Sequence, residues 1–198
     1  MRLLSDNFYW VSPENDFLLL ERLDGTELRV TPKLHSKGNT YSLKLKIRNI
    51  SNTLAFFVNL DLINGNNGNE ILPVYWSNNY FSLLPGEERT VTSRWKNLNR
   101  VPFLIIEGWN LYPQIINLHT GKILKLKPEI LKIETPKTVK DGEAFTLCFT
   151  AKNSSKLSHG ITSFPIWIEY KGDTMLTHAG LKGQEKKRIC IALNYNGH

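Results

Sequence analysis

Tyr41-Ser42-Leu43-Lys44-Leu45-Lys46-Ile47-Arg48 decides the fold class. Apolar side chains alternate with polar ones. An extended strand therefore buries Tyr41, Leu43, Leu45 and Ile47 and leaves Ser42, Lys44, Lys46 and Arg48 wet. A helix would scatter the same residues around its axis. The neighbouring sequence keeps the period of two. After the turn Asn49-Ile50-Ser51-Asn52, residues 53–62 place Phe56, Val58, Leu60 and Leu62 on one face, with Asn59 and Asp61 on the other. Asn64-Gly65-Asn66-Asn67-Gly68-Asn69 is rich in residues that tolerate positive φ, and it connects antiparallel strands. A short strand is expected over 70–76, with Pro73 marking an edge or a bulge. Leu84-Pro85-Gly86-Glu87 reads as a tight turn feeding a strand over 89–95. Residues 101–109 close this first unit.

Asn110-Leu111-Tyr112-Pro113 breaks the pattern, and residues 115–126 can run as a short hairpin across His119-Thr120-Gly121. Further strands are expected over 130–135, 144–152, 164–170, 174–178 and 187–193, with Lys171-Gly172-Asp173 as a hairpin turn. Short strands spaced by turn signals predict an all-β chain: two immunoglobulin-like antiparallel β-sandwiches in tandem, over 13–111 and 112–198. The second sandwich is smaller, with five strands where seven are usual. Trp167 falls on the opposite face to Phe164, Ile166 and Ile168, which predicts a surface or interface position.

Of the 198 residues 41% are hydrophobic and 22% charged, a globular balance that argues against long disorder. The formal charge is +7, but the lysines alternate with apolar residues along strands, and such spacing gives solvated faces instead of a nucleic-acid groove. No apolar run reaches the roughly 20 residues needed to cross a bilayer. Met1-Arg2-Leu3-Leu4-Ser5-Asp6 is too short an apolar stretch to direct export, so localisation stays open. In 145–150 and 188–193, Cys148 and Cys190 alternate out of phase with the core residues, so both point outward and free thiols are expected.

Catalytic signatures are missing from the sequence. His35, His119, His159, His178 and His198 lack ligand spacing, so no metal or cofactor is expected. There is no nucleophile elbow and no phosphate-cradling glycine loop. The acids fall mostly in turns or beside lysines. Glu107 is the exception, placed between Ile106 and Gly108 in an apolar strand, and an arginine partner is the expectation for it.

Several segments carry a family resemblance: Ala55-Phe56-Phe57-Val58-Asn59-Leu60, then Ile71 through Glu87, then Ile106-Glu107-Gly108-Trp109-Asn110. In that order and spacing they resemble the immunoglobulin-like C-terminal domain of exo-β-glucosaminidases and β-mannosidases of glycoside hydrolase family two. Asn78 departs from the family pattern, which usually carries aspartate there. Leu4 to Trp10 is similar to the last strand of the sandwich that precedes this domain, so the resemblance makes residues 1–12 an orphan strand. It also implies a parent enzyme whose (β/α)₈ barrel precedes this region and hydrolyses β-glycosidic bonds. Such a parent could be periplasmic or secreted. No barrel is encoded in these residues, so the chain is expected to be a non-catalytic accessory region whose partner is that barrel, with no nucleic acid and no membrane.

Carbohydrate is the other partner the residues allow. Sugar rings stack on Trp and Tyr faces and take hydrogen bonds from amides. Trp76, Asn78, Asn79 and Tyr80 offer that chemistry in one loop, and Trp109 with Asn110 offers it again. Packing against the sandwich end or the barrel is the competing role for both tryptophans. The two alternatives to the accessory role are an independent carbohydrate-binding module and an adhesion or protein-interaction sandwich.

Overall fold

A computed structural model describes residues 17–65, 68–96, 101–126, 128–140, 142–155, 162–170 and 172–194. The strand expected within 1–12, part of the 64–69 turn cluster, Lys127 and Lys171 lie outside these residues. The described chain is β throughout, save one 3₁₀ turn at Leu18–Arg22. The alternation at 41–48 becomes β2 (Thr40–Asn49), in which Leu43, Leu45 and Ile47 are buried. β2 is flanked by β1 (Leu28–Lys37) and β6 (Glu88–Lys96), and β6 pairs with the short β4 (Tyr75–Trp76). Gly38, at a φ of 56°, turns β1 into β2.

The facing sheet has five strands in the order β5 (Phe81–Leu83), β3 (Ala55–Asn64), β7 (Pro102–Glu107), β8 (Gln114–Asn117), β9 (Ile123–Lys125). A bulge splits β3. Its register against β5 shifts between Ala55 and Val58, with Phe57 between them at a φ of 55°, and beyond it β3 pairs with β7. The strand expected over 70–76 shrinks to β4 and one bridge between Ile63 and Glu70. Pro73, which has no N–H and follows a cis bond, interrupts the ladder. Leu60, Leu62, Leu104, Ile106 and Ile116 pack against Leu43, Leu45, Ile47 and Val91 as the core of this sandwich.

The remaining strands are β10 (Pro128–Glu134), β11 (Ala144–Asn153), β12 (Thr162–Tyr170), β13 (Asp173–Leu181) and β14 (Lys186–Asn194). They form one sheet ordered β10-β11-β14 and a hairpin sheet β12-β13. A second cluster joins Phe149, Ala151, Phe164, Ala179 and Leu181 to Ile63, Ile105 and Ile115, which lie on the outer face of the five-stranded sheet. That sheet is therefore covered on both sides, and its ladder runs through residue 112 into β8 and β9.

The expectation of free thiols is corrected. Cys148 and Cys190 form a disulfide. They are directly opposite each other on β11 and β14, with Cα atoms 4.1 Å apart. Alternation placed both on the outer face, which rules out a bridge through the core. It does not rule out one between adjacent strands, because cross-strand neighbours share a face. The bridge spans 42 residues. Replacing both cysteines by serine is expected to cost about 3–4 kcal/mol, read from chemical denaturation. Titration of the unreduced, denatured chain should find no free thiol, and two would refute the bridge.

Candidate functional site

The six candidate residues are held by β4, by the loop that follows it, and by the turn after the C-terminal end of β7. Asn79 acts as a peg. Its Oδ1 accepts from the N–H of Leu60 at 2.8 Å and of Tyr80 at 3.0 Å, and its Nδ2 donates to the Leu60 carbonyl at 3.0 Å. The side chain thus bonds the β3 backbone just beyond the bulge. Tyr80, at a φ of 55°, is half exposed with its ring 5.3 Å from that of Phe57. Trp76 is partly buried and packs on the first core, which is the packing role weighed for it from the sequence. Asn78 is partly exposed, and Tyr75, three residues earlier, is 70% exposed.

Trp109 and Asn110 are turned inward, to work within the chain. Asn110 is fully buried. Its Oδ1 accepts from the Phe56 N–H at 3.0 Å, and its Nδ2 donates to the carbonyls of Asp24 at 2.7 Å and Leu54 at 2.8 Å. Its own carbonyl accepts from Thr26 N–H and Oγ1. This fastens the segment before β1 to the end of β7 and leaves no amide for a sugar. Trp109 donates its Nε1–H to the Leu20 carbonyl at 2.9 Å and packs its ring 4.5 Å from His178 of β13.

Trp167 completes this junction. Its Nε1–H reaches the Leu23 carbonyl at 2.7 Å, and its ring lies 5.3 Å from that of Tyr112. Gly25 fits closely under it: a Cβ there would sit 3.1 Å from the Trp167 ring, so that ring would have to shift by a few tenths of an ångström. The off-face placement of Trp167 in the sequence was the signal for this contact.

Glu107 sits at the same junction, and among the described residues the expected arginine is not beside it. Opposite it in register is Asn59, whose Nδ2 donates to Asp61 at 2.7 Å and whose Oδ1 is buried with no donor among the described residues. Burial first, and the Asp61 carboxylate second, push the Glu107 carboxyl up to about 7, although the Ser163 N–H of β12 hydrogen-bonds it and acts the other way. Sequence reasoning flagged Glu107 as an odd acid, and Asn59 and Asp61 as a polar face. It had no register to bring the three together. Among the described residues no three His, Cys, Asp or Glu side chains are grouped to hold a metal ion.

Residues 7–111 match the family model of the exo-beta-D-glucosaminidase Ig-fold domain. The chain belongs to this family. All six candidate residues lie within the matched Ig-fold domain, and the match agrees with the resemblance carried by 55–60, 71–87 and 106–110. An exo-beta-D-glucosaminidase of Arthroderma benhamiae is 26% identical over 134 residues, covering 58% of this chain and 15% of the relative. A mannosylglycoprotein endo-beta-mannosidase of Lilium longiflorum is 25% identical over 168 residues, covering 54% of this chain and 18% of the relative. Among solved structures, the exo-chitosanase CsxA of Amycolatopsis orientalis is 27% identical, covers 50% of this chain and 12% of that one, and has a TM-score of 0.46. The chain spans less than a fifth of the length of these relatives.

Proposed function

We propose that the chain is a non-catalytic accessory region of a glycoside hydrolase acting on β-linked carbohydrates, of the β-mannosidase or exo-glucosaminidase kind. Its first sandwich braces a catalytic barrel of the same polypeptide. The family match over 7–111 carries this reading. Two features of the chain support it. Glycoside hydrolysis needs two carboxyl groups facing each other across an open pocket. Asp61 and Glu107 make a close pair, but Glu107 is largely desolvated and bonded to Ser163, so they do not flank a sugar site. In addition, Leu72, Tyr75, Tyr80 and Leu84 are all exposed within one short segment, a density that suits a surface covered by another body.

The test mixes the separately expressed catalytic portion of the parent with this chain. The melting temperature of the catalytic portion should rise, and the double variant Tyr75→Ala, Tyr80→Ala should abolish the rise. No shift at saturating chain would sink the bracing role. Carbohydrate binding by the chain alone is the rival, favoured by the exposure of Tyr75. Retardation on immobilised chitosan or mannan gels that is lost in Tyr75→Ala would decide for it. Tyr75 is a cleaner probe than Trp76, whose ring also fills the core.

A further inference from the structure

The second body is unevenly covered. Among the described residues its sheet β10-β11-β14 is three strands wide, and the facing sheet β12-β13 has two. The shortfall lies over β10. Ile133 pairs in register with Phe149 and shares its face, yet Phe149 is 3% exposed and Ile133 65%. An open apolar groove of about 680 Å³ runs between the floor formed by Ile130, Ile133 and Leu147 and the near side of β12. All five residues 166–170 of β12 line it, inward-facing and outward-facing alike. A strand contributes consecutive residues through its edge, not through one face.

That edge is closed along half its length. The Ser163 N–H goes to the Glu107 carboxylate, so at this position the backbone turns away from β13. Positions along an antiparallel pair alternate in this respect. Pro165 has the same parity and no N–H to give, which suits an outward position. Trp167 and Glu169 follow with the same parity and aim N–H and C=O outward, beside the apolar floor. Ladder bonds next to a pocket for alternate side chains are what a docking strand uses.

Chain order identifies the strand. In an immunoglobulin sandwich A, B and E share one sheet, while C pairs in the other with F and G, and a C′ strand can flank C. β10, β11 and β14 take the places of A, B and E, and β12 and β13 those of C and C′. The open edge of β12 is thus the seat of F, which follows E along the chain. The end of β14 lies at the right place. Leu193 lines the groove and pairs with Phe145, whose ring is 5.3 Å from Tyr170 at the last position of β12. A polypeptide turning back from there enters the groove antiparallel to β12.

We propose that this groove seats one more strand of the same polypeptide, running antiparallel to β12 along Trp167–Glu169 with an aliphatic side chain on the Ile130 and Ile133 floor. The test compares amide hydrogen exchange in the 198-residue chain and in the chain extended by the residues its gene encodes next. Extension should slow exchange at Trp167 and Glu169 about a hundredfold or more. Ile133→Glu should restore fast exchange in the extended chain, and because Ile133 is exposed it should leave the melting of the 198-residue chain unchanged. A stop codon directly after residue 198, or unchanged exchange at both amides, overturns the proposal. So does protection of the shorter chain that grows with its concentration, which assigns the groove to a second copy.

Discussion

Asn110→Ala should lower the stability of the chain by about 4 kcal/mol, near the upper end for a single substitution. The side chain is fully buried and makes three hydrogen bonds, one from the Phe56 N–H and two to the Asp24 and Leu54 carbonyls. Alanine removes all three bonds, each lost bond costing about 1–3 kcal/mol at a backbone group shielded from water and less at the Asp24 carbonyl, which lies near the surface. It also opens a small void beside the tightly fitted Gly108, whose Cβ would stand only 2.5 Å from Leu111. Asn110→Asp should be no milder, because it keeps the acceptor but sets a carboxylate against two carbonyl oxygens. Urea denaturation at neutral pH measures the difference, and a loss under about 1 kcal/mol would contradict the role of Asn110 as the clamp between the segment before β1 and the end of β7.

Stability should also fall as pH rises from about 4.5 to 7. Burial and Asp61 lift the Glu107 carboxyl from 4.5 to about 7 in the folded chain. A group whose folded value is raised gives its full stabilising effect below the unfolded value, and loses it as pH climbs through the folded one. The span corresponds to about 3 kcal/mol. The groups facing Glu107 among the described residues fit this sign: Asp61 repels its ionised form, and the Ser163 N–H favours that form. Protonated, Glu107 also faces Asn59, whose Oδ1 has no other donor among the described residues. Glu107→Gln should therefore flatten the pH profile, raising the melting temperature by several degrees at pH 8 while changing little at pH 4. Equal melting temperatures of the unsubstituted chain at pH 5 and pH 8 would dismiss the idea.

Strand identity was legible wherever one face is buried and the other wet. β2 and β6 follow that pattern residue by residue, and β11 through β14 lie where alternation put them. β1 went unread because Pro32 interrupts the run from Leu28 to Leu34, and the structure tolerates it by placing β1 at a sheet edge. The disulfide was missed because alternation gives a face and not a register, and register is what sets Cys148 opposite Cys190. The candidate site divided for a related reason. Asn79 and Asn110 have the chemistry of sugar ligands, but the same amides serve backbone left unpaired by a bulge and by the ends of strands. Residue type cannot distinguish the two uses. The position of the bulge at Phe57 can, and nothing local in Ala55-Phe56-Phe57-Val58 announces it.

The doubly covered sheet has a practical consequence for anyone who wants to cut this polypeptide into parts. Ile115 and Ile116 are adjacent in sequence and serve different hydrophobic clusters, one on each side of the sheet. A truncation at the family boundary near residue 111 removes β8 and β9, and so strips Ile116 and Leu118 from the first core. A cut after Leu126 keeps that core whole but bares Ile63, Ile105 and Ile115 to water. The fragment that travels well would carry the hairpin and a polar replacement for each bared isoleucine.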